Sequence, residues 1–149
     1  MRRSGPALIV AIVTLGLAGC MQQQAQPSNT ITYKAHLIGA MEVPPTTSAG
    51  SGDGVFTFNT TTKQLTWDVK FAGLTGPAIA SHIHGPAAVG VNAGVVVPFK
   101  NVPAAPAGEI TGGATLTDAQ IADLKSGKWY ANVHTAANKG GEIRGQLAP

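Results

Sequence analysis

The sequence predicts an all-β fold: a Greek-key β-sandwich or barrel of about eight strands with one short helix. Three observations lead there. Apolar and polar residues alternate in short runs, the period-2 signature of half-buried strands. The runs are separated by clusters of Gly, Pro, Ser, Thr and Asn, which terminate strands. The 149 residues include 19 Gly but only 11% charged residues, against roughly 25% in ordinary soluble domains. A helical bundle needs charged outer faces, so this composition argues against one.

The elements follow in order. Ile31, Tyr33, Ala35 and Leu37 alternate with Thr32, Lys34 and His36 as a first strand. Gly39 to Gly54 reads as a loop containing Glu42-Val43-Pro44-Pro45, and Val55 to Asn59 as a second strand with Phe56 and Phe58 on one face. After the polar turn Thr60 to Lys63, Leu65, Trp67, Val69 and Phe71 give the clearest alternation in the chain. Further strands are expected at Ala78 to His84, Gly94 to Phe99 and Glu109 to Leu116. Thr117 with Gln120 three residues later forms a capping box, Ile121 and Leu124 supply a short apolar face, and Gly127 is a stop. Trp129 to His134 and Glu142 to Leu147 complete the fold, joined by a turn through Asn138 and Gly140-Gly141.

The chain divides into three parts. Residues 1–19 read as a lipoprotein signal peptide, with Arg2-Arg3 followed by the uncharged run Ala7 to Leu17. That run is too short for a span of about 20 residues. Leu17-Ala18-Gly19-Cys20 resembles a bacterial lipobox, and Cys20, the only cysteine, is the expected lipidation site. Residues 20–29 are polar and uncharged, a flexible tether. Residues 30–149 form the domain. Acyl chains contribute about 0.8 kcal/mol per buried CH2, so several of them on one Cys anchor stably. The expected location is the cell envelope, lipid-anchored and periplasmic or at the cell surface. Met21 in place of an Asp after Cys20 points to the outer membrane.

Loss of the leader removes two of the ten basic residues and none of the seven acidic ones. The mature chain is then nearly neutral, and no basic stripe with interleaved aromatics remains for nucleic acid. The sequence contains no G-x-S-x-G, P-loop or G-x-G-x-x-G. A lone Cys excludes a disulfide framework and any multi-thiolate zinc site.

The chemistry rests on histidine. His82 and His84 stand at i and i+2 in an expected strand, on one face with Cα atoms about 6.5 Å apart. His134 ends another expected strand. If the two strands are neighbours, three imidazoles converge on a site with an open position, suited to copper or zinc. The competing reading has the three hold loops by hydrogen bonds. His36 lies on the solvated face of the first strand. Glu142 and Arg144, at i and i+2, read as an ion pair, or Glu142 as an acceptor that orients a histidine. Glu42 has the same choice, or a loop-anchoring hydrogen bond.

Four blocks, Gly39-Ala40-Met41-Glu42-Val43-Pro44-Pro45, Ala80-Ser81-His82-Ile83-His84-Gly85-Pro86, Trp129-Tyr130-Ala131-Asn132-Val133-His134-Thr135 and Gly140-Gly141-Glu142-Ile143-Arg144-Gly145-Gln146, together resemble the CHRD domain. That module is named after chordin and occurs also in bacterial secreted proteins. The resemblance covers Thr30 to Leu147. It implies that His82, His84 and His134 act together with Glu42, Glu142 and Arg144 close by, and it leaves His36 outside. The chain lacks the Cys-rich repeats that accompany the domain in chordin, so growth-factor capture is not carried over. The expected function is a non-catalytic, lipid-anchored binding module that takes a copper or zinc ion, an envelope protein or a glycan. The alternatives are a metal-dependent envelope enzyme on the same histidines and an adhesive protein in which they are scaffold.

Overall fold

The structure is a computed structural model, describing residues 29–149. The leader, Cys20 and nearly all of the tether lie outside the described residues. Eight strands form: β1 (Thr30–Ile38), β2 (Ser51–Asn59), β3 (Gln64–Ala72), β4 (Ala78–His84), β5 (Val95–Pro98), β6 (Gly108–Thr115), β7 (Tyr130–Thr135) and β8 (Ile143–Gln146). The helix α1 (Asp118–Lys125) lies between β6 and β7. They make one sheet in the order β5-β4-β7-β8-β1-β2-β3-β6, with every pairing antiparallel. The sheet curls until it is nearly closed into a barrel. The all-β expectation holds, and of its two architectures the barrel is the one formed. Among the described residues no helix is long and apolar enough to cross a membrane.

Alternation sends one face of each strand inward. Tyr33, Leu37, Phe56, Phe58, Leu65, Val69, Ile83, Ile110, Val133 and Ile143 are buried in a single core. Burial of such side chains stabilises by about 1.5–3 kcal/mol each. Helix α1 adds Leu124 to this core, with Ile121 packed against it. Thr117 Oγ1 accepts from Gln120 N at 3.3 Å while Thr117 N donates to Gln120 Oε1 at 2.9 Å, which completes the capping box.

Two features that the alternation pattern did not give have physical causes. The segment 39–54 is not all loop, because a short 3-10 turn forms at Gly39–Met41 and β2 starts at Ser51. Gly52 and Gly54 occupy inward positions of β2, and a Cβ at Gly54 would stand 2.6 Å from Phe56 Cε2. The period-2 pattern continues there with its inward members reduced to hydrogen. The second feature is β7, which is buried on both faces. Ala131 and Val133 point to the core, while the outward Tyr130, Asn132 and His134 are covered by loops.

At Gly145 of β8 the neighbouring backbone leaves no room, since a Cβ would overlap the His36 carbonyl oxygen. Gly145→Ala is expected to push β8 from β1 and cost about 3 kcal/mol, as overpacking against backbone does. Urea denaturation followed by circular dichroism reads this directly, and a variant within 0.5 kcal/mol (about the scatter of a neutral surface change) would contradict it.

Candidate metal centre

Strand pairing brings the histidines together. β4 lies beside β7 with His82 opposite Asn132, His84 opposite Tyr130 and Ala80 opposite His134. Cross-strand partners share a face, so all three histidines project outward, away from Ile83 and Val133 in the core. His84 and His134 are buried and His82 is half-buried. Each offers one ring nitrogen to a group whose members lie within 4.8 Å of one another, and His82 Nδ1 is 3.1 Å from His134 Nε2.

Backbone carbonyls fix two of the tautomers. His84 Nδ1 is 3.0 Å from Ala93 O, and His134 Nδ1 is 3.0 Å from Lys139 O. A carbonyl only accepts, so both Nδ1 atoms carry the proton and both Nε2 atoms present a lone pair. His84 Nε2 is buried with no hydrogen-bond partner. With both rings neutral, His134 Nε2 accepts a hydrogen bond from the His82 Nδ1–H.

Two of the rings, His82 and His134, favour neutrality. Burial, followed by the facing His134 and His84, pushes His82 down to about 4. Burial, aided by His84 and opposed by the Lys139 carbonyl, lowers His134. Neutral imidazoles at this spacing fit a metal ion, whose ligand nitrogens stand about 3.4 Å apart in a tetrahedral site with bonds near 2.0–2.1 Å. A buried nitrogen without a partner, His84 Nε2, is what an ion would satisfy.

The loops that supply the two carbonyls have their own anchors. Arg144, on β8, donates to Asn92 Oδ1 at 2.9 Å and Val91 O at 2.7 Å. Its guanidinium carbon lies 3.4 Å from the Tyr130 ring centroid. Tyr130, on the intervening strand, stacks on His84 with centroids 5.0 Å apart and planes 6° from parallel. The Tyr130 hydroxyl accepts from Ala93 N at 3.1 Å. His84 is therefore aimed by segment 91–93, which Arg144 and Tyr130 hold.

Glu142 does the corresponding work for His134. Its carboxylate has no exposed surface. It accepts from Ser48 Oγ, Thr75 N, Thr75 Oγ1, Thr135 Oγ1 and Asn138 Nδ2, at 2.6–3.1 Å. Burial alone would raise its pKa, but the donors of Ser48, Thr135 and Thr75 override burial and bring it to about 2. Thr135 and Asn138 frame the turn that carries Lys139. The expected Glu142–Arg144 ion pair does not form: β8 begins only at Ile143, the two side chains turn to different loops, and no ion pair among the described residues joins them. None of these hydrogen bonds of Glu142 runs to an imidazole, and its link to His134 is the turn.

Glu42 is buried and its Oε1 has no partner. Burial pushes it up to about 7, while the Arg144 charge and the Val43 N–H pull the other way. Gly141, at φ +135°, has no Cβ to overlap Glu42 Oε1. None of the hydrogen bonds of the three histidines runs to Glu42. His36 is exposed, away from the cluster, with Nδ1 2.8 Å from Asp53 Oδ1.

Sequence reasoning did not find Tyr130, Asn92 or the two carbonyls. Tyr130 had a signal, since Tyr130, Asn132 and His134 alternate on one face of β7. The carbonyls had none.

The comparisons with known proteins agree with the four blocks. The family profile of the CHRD domain matches residues 33–147, which takes in all eight strands except the first residues of β1. No curated protein and no solved structure matches the chain. With the profile spanning well over half of its length and enclosing the histidines and their anchoring loops, the chain belongs to the CHRD-domain family.

Proposed function

We propose that this CHRD domain is a metal-binding module of the cell envelope. It is held to the membrane by lipid on Cys20 and takes one copper or zinc ion on His82, His84 and His134. The observation that carries the reading is the convergence of three ring nitrogens within 4.8 Å, two of them aimed by backbone carbonyls. Scaffold histidines would use their nitrogens on the protein, whereas His84 Nε2 is left for something else. Imidazole donors without thiolate suit Zn2+ and Cu2+.

Titration of the full chain with Zn2+ and Cu2+, read by isothermal calorimetry, tests it. One ion should bind with Kd below about 10 μM, near −7 kcal/mol. The pH profile separates this site from a surface cluster. Three imidazoles of pKa 6.5 would lose about a thousandfold in affinity at pH 5.5 through proton competition. Here burial holds His82 at about 4 and lowers His134, which weakens proton competition, so the loss from pH 7.5 to 5.5 should stay under about a hundredfold. Binding of neither ion by 10 μM overturns the proposal.

A second reading has one observation in its favour. His82 is only half-buried, so a fourth coordination position faces solvent, as catalytic zinc sites require. A metal-dependent envelope enzyme would then turn over in oxidase, dismutase or hydrolase screens of the loaded chain, and a non-catalytic module would be inert in all three.

A further inference from the structure

The barrel is closed everywhere except between β5 and β6, the two ends of the strand order. A cavity of about 440 Å³ occupies that seam, within the 300–1,000 Å³ range of small-molecule sites. It does not share the histidine face. Val97 of β5 pairs with the core residue Ile83, and the seam runs inward to Trp67 and Leu116, both buried. The histidines flank Ile83 and point outward.

The walls define the ligand. Trp67 lines the cavity, its indole held by stacking on Phe99 with ring centroids 4.6 Å apart and planes at 23°. Val96, Val97 and Leu116 continue this wall as an apolar floor. The Trp67 Nε1 is buried without an acceptor. Lys100 is the only charged residue of the lining, and no ion pair among the described residues engages it. Asn101, Thr111, Thr115 and Gln120 add polar groups to the lining, and a slot with an apolar wall, polar groups and one uncompensated cation matches an anionic amphiphile.

A ninth strand fits less well. Phe99 N donates to Ser81 O, so alternation turns the Pro98 backbone toward the seam, where it has no N–H to offer. β5 is also only four residues long. Proline and brevity are the features by which edges resist strand addition.

We propose that the β5–β6 seam is a second binding site, taking a small amphiphile with an apolar body and a carboxylate or sulfonate that Lys100 receives. The probe is 1-anilinonaphthalene-8-sulfonate, with uncharged N-phenyl-1-naphthylamine as the same body without its anion. Emission by energy transfer from tryptophan is measured on the full chain, its Thr111→Phe variant and its Lys100→Gln variant. Thr111 lines the cavity from the outer face of β6, opposite Asp68, so an aromatic side chain there covers the mouth of the seam and suits a strand. The expected result is one sulfonate probe bound per chain and loss of both probes from that site in Thr111→Phe. Lys100→Gln should weaken the sulfonate about fivefold, the worth of one partly exposed ion pair, and leave the neutral probe unchanged. Zn2+ affinity should be the same in all three chains, which keeps this site separate from the histidines. Probe binding that is indifferent to Thr111→Phe overturns the proposal, as does equal weakening of both probes by Lys100→Gln. A concentration-dependent doubling of mass that Thr111→Phe abolishes, without probe binding, would assign the seam to a second copy of the chain instead.

Discussion

Glu142→Ala should cost about 4 kcal/mol or more, enough to leave a marginal domain largely unfolded at 37 °C. The reason is the number of groups that depend on one carboxylate. Five donors from Ser48, Thr75, Thr135 and Asn138 converge on it. Each buried donor left without an acceptor costs about 1–3 kcal/mol, partly recovered where water enters. Glu142→Gln keeps the volume but replaces one acceptor oxygen with a donor that faces other donors, and should cost about 2 kcal/mol. The pH profile identifies the cause. The folded pKa is about 2 and the ordinary value 4.5, so the unfolded chain takes up the proton first as pH falls. The stabilisation is complete above about 4.5 and fades towards 2. That acid limb should be missing from Glu142→Gln. Urea melts between pH 2.5 and 7 measure both quantities, and an Ala variant within 1 kcal/mol of the parent would show that the donors find other partners.

The second large effect concerns the ion. With metal at about 100 times its Kd, the bound chain gains about 2.7 kcal/mol, a rise of roughly 10 °C in melting temperature for a domain of this size. His134→Ala removes one of three ligands and should weaken binding at least about a hundredfold, so the rise should vanish at the same metal concentration. Truncation also strips the Lys139 carbonyl of its donor, so His134→Gln serves as the second variant, with a polar group of similar reach. Differential scanning calorimetry with and without Zn2+ or Cu2+ separates the effects: both variants should melt alike in the two conditions, whatever their starting stability. A full metal-dependent rise in either variant would place the ion elsewhere.

Much of the architecture was legible because the barrel is built by alternation. Leu65 to Phe71 and Ala78 to His84 show their inward and outward faces in their residue types. β2 was read four residues short because Gly52 and Gly54 hide their inward orientation behind a missing side chain. For the site, i and i+2 spacing was enough to put His82 and His84 on one face. Their meeting with His134 needed the β4–β7 pairing, which spacing alone does not contain. The parts that aim the rings were invisible for a deeper reason. Ala93 and Lys139 contribute carbonyl oxygens, which every residue possesses, so no residue type marks them. Glu142 and Arg144 could be singled out, but their separate loops could not, since strand periodicity places them on one face and the start of β8 at Ile143 takes Glu142 out of the strand.

The double burial of β7 has a consequence for how a bound ion would leave. Tyr130, Asn132 and His134 are covered on one side as Ala131 and Val133 are on the other. A strand enclosed in this way does not fray by itself and opens only with the molecule as a whole. His134 is thus part of the cooperative unit that holds the barrel together, whereas His82, on the outer face of β4, is half-buried and reached by solvent. An ion seated there would leave from the His82 side, by exchange with water, while His134 keeps its place until the barrel itself opens.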